Sequence, residues 1–301
     1  MLLFAGSWGV VAQPAAPPAG AFSRPAETKK SLALDGLLSK KSVTLRDPVP
    51  YPIVREADIV WSKRIWRTVD LREKVNLPLF YPTDELMLRR SLVQTLVDAI
   101  RNEDIRAFDP DEDDEFTTLL PASELSKRFD AVDKQMSREK LDGSGDTTIT
   151  IRGKYNWEEV RELLVKEDWF FDKHYSRLMV RVVGICPIRV YKKVLNTKGG
   201  DEEEETGDEE LQKKPLFWIH YDESRKVLAQ AAAYLPNNDA SVISFDDIFN
   251  ERRFSSYITK ESNVYNNRSI PSYINNGYDA LLESEKVKNH IITWEHDLWE
   301  Y

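Results

Sequence analysis

A single cysteine in 301 residues leaves no internal disulfide framework and no Cys-rich zinc site. The four histidines, His174, His220, His290 and His296, are not paired at metal-ligand spacing on a helix, and Glu295-His296 lacks the second histidine of a zincin. The chain has no G-x-S-x-G, no G-x-G-x-x-G and no phosphate loop; Gly143-Ser144-Gly145 reads as a turn. Apolar runs of roughly 18 or more residues are also absent, so no membrane-spanning helix is predicted. Asp109, Asp111 and Asp113 imitate the start of a calcium loop, but Asp114 stands where glycine should and Leu120 where glutamate should, which excludes an EF-hand. No catalytic residue, metal ligand or cofactor is assigned. A periplasmic hydrolase, or a binding module holding calcium loosely on its acidic loops, remain the alternatives.

The composition is 41% apolar and 31% charged, which suits a folded globular chain. The formal charge of −9 is unevenly spread. One run spans Asp109, Asp111, Glu112, Asp113, Asp114 and Glu115; a second spans Asp201, Glu202, Glu203, Glu204, Glu205, Asp208, Glu209 and Glu210. Setting these fourteen acids aside turns −9 into +5 for the remainder. Eight tryptophans, twelve tyrosines and twelve phenylalanines supply large rigid surfaces, the residue types that dominate interface hot spots.

The opening stretch MLLFAGSWGVVAQ resembles the apolar core and cleavage site of a secretory signal peptide over residues 1–12, without the usual basic residue ahead of it. That gap predicts a start codon further upstream. No cysteine lies near the cleavage point, so a lipid anchor is not expected. Residues 13–50 are rich in Pro and Ala and carry Arg24, Lys29, Lys30, Lys40, Lys41 and Arg46, which predicts an extended, mobile, basic arm.

For the body we expect an α+β fold: a mainly helical part over residues 51–145, then a mixed part over 146–301 with a small, mainly antiparallel sheet and flanking helices. Trp61, Ile65 and Val69 are spaced four apart and predict a helix over 54–68, with Trp66 on another face. Leu77-Pro78-Leu79-Phe80-Tyr81-Pro82 is expected to be an extended connector. Thr83 is the expected cap of an amphipathic helix carrying Leu88, Leu92 and Leu96 beside Val93, Val97 and Ile100. A weaker helix is expected over 123–140. In the second part, Thr147–Ile151, Leu178–Val183, Ile188–Tyr191 and Leu216–Tyr221 suit extended strands, with the second acidic run at the tip of a hairpin over 199–212. Helices are predicted after Asn156, bearing Trp157, Val160, Leu163 and Leu164, after Ser244, and from about Asp279 onward.

Lys63-Arg64-Ile65-Trp66-Arg67 mixes bases with an aromatic ring, as single-strand nucleic-acid sites do, but one short cluster in an exported chain favours arginine packed over tryptophan instead. No nucleic-acid partner is expected. Two tryptophans on different faces require burial on two sides, either within the fold or against another subunit.

Three blocks resemble the family of the gliding motility protein GldN, also called PorN. They are Ala57–Arg67 continuing through Asp70–Lys74 to Pro78–Pro82; Phe245–Phe249 with Arg253–Ile258 and Lys260–Val264; and Glu295–Trp299. Lys166-Glu167-Asp168-Trp169 and Leu216–Ile219 add to them. The resemblance implies a non-enzymatic periplasmic subunit of the type IX secretion system. It implies a ring formed with the outer-membrane lipoprotein GldK (PorK), at the inner face of the outer membrane, and contact with the periplasmic part of the motor protein GldM (PorM). Interface candidates are Trp61, Arg64, Trp66, Arg67, Phe254, Tyr257, Trp294 and Trp299. Asp146-Thr147-Thr148 resembles an O-glycan acceptor of exported proteins in that phylum, with Thr147 as the acceptor.

Overall fold

The computed structural model describes residues 45–84, 89–112, 114–131, 134–139, 146–151, 153–194, 209–236 and 242–298. The signal-like start, most of the arm, Leu88, most of the acidic hairpin tip and Trp299 lie outside them.

A 3-10 turn at Glu56–Asp58 leads into β1 (Ile59–Asp70). Next come a one-turn α1 (Leu77–Phe80), α2 (Leu92–Arg101), a short β2 (Ala107–Phe108) and α3 (Ala122–Arg128). The hairpin β3 (Lys134–Glu139) and β4 (Asp146–Ile151) stands by itself. A 3-10 turn at Trp157–Glu159 opens the long strands β5 (Val160–Asp172) and β6 (Arg177–Val194), followed by β7 (Glu209–Pro215) and β8 (Trp218–His220). The chain ends through α4 (Tyr221–Gln230), β9 (Ala232–Tyr234), β10 (Val242–Ser244), α5 (Phe245–Asn250), β11 (Tyr257–Glu261), a 3-10 turn at Ile270–Ser272 and α6 (Gly277–Asp297).

Both helices and an antiparallel sheet are present, but the expected helical first part is a strand. β1 is central to a sheet ordered β11-β1-β5-β6-β8-β2, with β7 also pairing β6. The sheet therefore draws strands from both sides of residue 145. The misreading has a simple cause. A spacing of four is close to one helical turn and is also two strand repeats, so Trp61, Ile65 and Val69 share a face either way. Ile59, Val60, Ile65, Thr68 and Val69 are β-branched, and the pleat decides the matter. The helix expected after Asn156 is likewise one 3-10 turn and then β5, where Asn156 bonds the Glu159 carboxylate without capping a backbone N–H.

Three smaller expectations are also corrected. Pro78 sits in the first turn of α1, where its missing N–H costs nothing. The cap of α2 is Ser91, whose hydroxyl accepts from Gln94 N at 3.3 Å while Gln94 Oε1 accepts from Ser91 N at 3.1 Å. The helix expected to run from 123 to 140 ends at Arg128 with Phe129 as its C-cap, and Asp130 beyond it adopts φ 54, outside the helical region. The apolar rows of α2, the strands β4 and β6, the Ser244 cap of α5 and the last helix are where the sequence puts them. α4 is an addition: only its first residue, Tyr221, falls in a predicted element, the strand before it.

Alternation along β1 and β5 gives the sheet two different faces. Trp61, Ile65 and Val69 pair across to Phe171, Glu167 and Leu163. This face carries the main core beneath α2, α4 and α5, with Leu92, Leu96, Leu228, Phe245 and Phe249 buried, and a smaller cluster beneath α6 built on Ile65, Ile258 and Ile291. Ser62, Arg64, Trp66 and Thr68 pair across to Phe170, Asp168, Lys166 and Leu164 on the other face. Cover here is thinner: a third cluster of Trp66, Phe108, Cys186 and Trp218, and the loop between β2 and α3.

Candidate binding cleft on the thinly covered face

An open cleft of about 750 Å³ lies on this second face, lined among others by Arg64, Trp66, Asp114, Lys166, Asp168 and His220. Its floor is cross-strand pairs. The Arg64 guanidinium donates to both Asp168 oxygens, at 2.6 and 2.9 Å. Both side chains are more than a third exposed, so the pair contributes at most about 1 kcal/mol. It raises the Arg64 pKa, chiefly through that hydrogen bond.

Lys166 is the unusual member. It projects inward from β5 beside Trp66 and is 1% exposed. Burial lowers its pKa, and the nearby Asp114 carboxylate opposes that shift. Its ammonium donates to the Asp114 carbonyl and lies 3.6 Å from the Asp114 carboxylate. The rings of Trp66 and Phe116 flank it, with centroids at 5.6 and 5.3 Å. Lys260 of β11 reaches the same Trp66 ring at 4.2 Å and the same carboxylate at 3.4 Å. One indole ring thus has two ammonium groups close to it, and their mutual repulsion calls for a negative charge nearby.

That charge comes from the first acidic run. The run lies in the β2–α3 loop, closed at its base by Asp109 N to Thr118 O at 2.9 Å and Leu120 N to Ala107 O at 2.8 Å. Arg128, buried at the end of α3, donates to Asp109 at 2.6 Å and sits 3.0 Å from Asp111. Asp109, Asp111 and Asp114 are therefore committed to protein cations, which removes the solvated-loop picture for them. Among the described residues, no group of three or more His, Cys, Asp or Glu side chains is placed to hold a metal ion.

Phe116 anchors the loop. It adopts φ 62 and makes edge contacts with Phe108, Trp218 and His220 at 5.6, 5.8 and 5.6 Å. Gly184 of β6 leaves the room: a Cβ there would fall 2.5 Å from the Phe116 ring and 2.9 Å from the Ile219 carbonyl. Two polar atoms of the cleft residues stay unpartnered, the indole N–H of the buried Trp66 and Nδ1 of His220.

A family model described as gliding motility associated protein GldN matches residues 54–300. This chain belongs to the GldN family. That places it with the gliding and type IX secretion machinery, in a family of structural motility components rather than enzymes. Among curated proteins, none matches it. No helix among the described residues is long and apolar enough to cross a membrane.

The structure gives most of the interface candidates contacts within this GldN-family chain. Trp61 stacks on Trp294 of α6, ring centroids 4.7 Å apart. Arg64 and Trp66 belong to the cleft. Arg67 is buried and donates to the hydroxyl and carbonyl of Ser256, at 2.8 and 3.0 Å. Phe254 rests against Phe249 of the core, and Tyr257 pairs with Thr68. Trp66, 3% exposed, is core and not a free surface anchor. The stripe expected along α6 touches the body through Ile291, Val287 and Trp294. Tyr278, Leu281, Leu282, Ile292 and Leu298 of the same region stay exposed. Thr147 lies in β4 opposite Arg138.

Sequence reasoning missed Lys166, Asp114, Phe116, Gly184 and Lys260. The signal was available: read as a strand, β5 puts Leu164, Lys166, Asp168 and Phe170 on one face, with a lysine and an aspartate between two apolar residues.

Proposed function

We propose that the chain is a non-enzymatic periplasmic subunit of the type IX secretion and gliding machinery. It forms a ring with the outer-membrane lipoprotein GldK/PorK, is held by it at the inner face of the outer membrane, and couples to the periplasmic part of the motor protein GldM/PorM. The family match over residues 54–300 carries this reading, because it spans nearly the whole described body. The fold offers a fitting surface. α6 runs 21 residues, yet only Ser284 and Ile291 on it are fully buried, which leaves Tyr278, Leu281 and Leu282 for a neighbour. A head-to-tail contact whose rotation closes makes a ring. Thr147 as an O-glycan acceptor belongs to the same proposal, and intact mass after native export reads it directly.

The test is a tagged full chain expressed in its own host, fractionated and sized under mild detergent. A large particle containing the lipoprotein supports the reading. A monomer in the cytoplasmic fraction overturns it. Leu281→Asp with Leu282→Asp should break the particle while leaving the circular dichroism of the isolated subunit unchanged.

A further inference from the structure

We infer that the cleft lined by Trp66 and Lys166, with Lys260 beside them, is a docking site for an acidic peptide segment bearing an aromatic residue, supplied by a partner protein. In the isolated chain, its own Asp114-Glu115-Phe116 occupies that site. The inference stands on the cleft and is independent of ring assembly.

The occupant is read from what the site already holds. Asp114 presents a carboxylate to two ammonium groups, at 3.6 and 3.4 Å, and two residues on Phe116 fills the aromatic recess above Gly184. A carboxylate followed at short range by a ring is therefore the chemistry the site accepts. A lysine 1% exposed is not needed to fold a sheet, and an apolar residue there would avoid the desolvation cost. The chain's own segment fits incompletely. Phe116 is held at positive φ, a conformation that is unfavourable for a non-glycine residue. The Trp66 indole N–H, a donor that can only be satisfied by an acceptor, is buried and unpartnered with the loop in place. Beside it the cleft remains open, so an incoming segment has an approach that does not first require the loop to leave. The Arg128 clamp on Asp109 and Asp111 keeps the base of the loop attached while its tip exchanges.

The probe is a fluorescent peptide with the sequence of residues 109–118, DPDEDDEFTT, added to the purified full chain. An internal segment that keeps the site filled nine-tenths of the time lowers apparent affinity about tenfold. The variant Asp114→Asn with Phe116→Ala should therefore bind the peptide about tenfold more tightly than the natural chain. Adding Lys260→Met should abolish the gain. A peptide with Phe replaced by Ala should bind much more weakly. Equal binding of that peptide would reduce the site to general attraction for acids and overturn the proposal. So would a folded Asp114→Asn, Phe116→Ala variant that gains nothing. Hydrogen exchange on the unaltered chain gives a second reading that needs no variant. Excess peptide should speed exchange in residues 114–118 and slow it at 166–168, and no change at either segment sinks the idea.

Discussion

Replacing Arg252 with methionine should destabilise the protein by about 3 kcal/mol. Glu167 lies on the helix-covered face of β5 with its side chain fully buried. Its carboxylate accepts from Arg252 Nη1 at 2.9 Å and Nη2 at 3.3 Å, and from the Trp169 indole N–H at 2.8 Å. The guanidinium also lies 5.1 Å from the Trp169 ring centroid. Removing one partner of a buried ion pair costs roughly 3–5 kcal/mol, because the remaining charge is stranded away from water. Arg252 keeps 31% of its side chain in solvent, so water can partly replace it and the lower end applies. In a body of this size about 1 kcal/mol corresponds to roughly 2–4 °C in Tm, giving an expected fall of about 6–12 °C. The assay is urea unfolding followed by tryptophan fluorescence, with calorimetry in parallel. Glu167→Gln retains an acceptor for Trp169 and should recover part of the loss in the Arg252→Met background. A loss below about 1 kcal/mol for Arg252→Met, or a double variant additive within about 0.5 kcal/mol, would refute the reasoning.

Trp61→Ala should remove the stack on Trp294 and raise amide exchange selectively in the last turns of α6, because an aromatic pair adds about 0.5–1.5 kcal/mol beyond burial; uniform exchange along α6 would contradict this. Burial pushes the Cys186 thiol up to about 12, so a thiol reagent at pH 8 should label the native chain only as fast as it unfolds. Burial tends to raise the Asp247 carboxyl, but the Ser244 N–H and hydroxyl and then Arg46 outweigh it, leaving the pKa below the ordinary 3.8. Its stabilisation is therefore complete above that value and is lost as pH falls through the lower folded value, so Asp247→Asn should flatten the acid limb of a pH–stability curve. Gly184→Ala should destabilise by about 1–3 kcal/mol through the Phe116 ring and the Ile219 carbonyl, and Phe116→Ala should recover only the ring's share.

Periodicity made the body partly legible. α2 announces itself through apolar rows that no strand would produce and α5 through its Ser244 cap, whereas the cap of α2 is Ser91 and not the expected Thr83. β1 and β5 do not, because their apolar residues recur at spacings that both elements share and their polar residues are inward. Arg67, Glu162, Lys166 and Glu167 are buried charges, and a strand whose two faces are both covered loses the alternation that would reveal it. The cleft was half legible. Arg64 and Trp66 drew notice as a base beside a ring, while their partners lie about a hundred residues away on β5 and in a loop of negative charge that composition alone assigns to solvent. The expectation that Trp61 and Trp66 lie on different faces survives the change from helix to strand, since five is odd in a period of two.

The pairing of β1 with β11 sets a timetable for folding. Ile65 meets Glu261 and Trp66 meets Lys260, nearly two hundred residues further along, so one edge of β1 stays open until almost the whole chain has emerged. A contact of such long range forms late and slowly. Until then an aromatic strand offers a bare row of hydrogen-bonding groups, the kind of edge that recruits other chains. Once β11 is in place the hazard is closed off, because Ile258 N–H is taken by the Ser284 hydroxyl of α6 and Lys260 bridges Ser269. A chaperone that holds the newly made chain would find its natural grip on β1, and a truncation ending before residue 257 should aggregate even though most of its core residues are present.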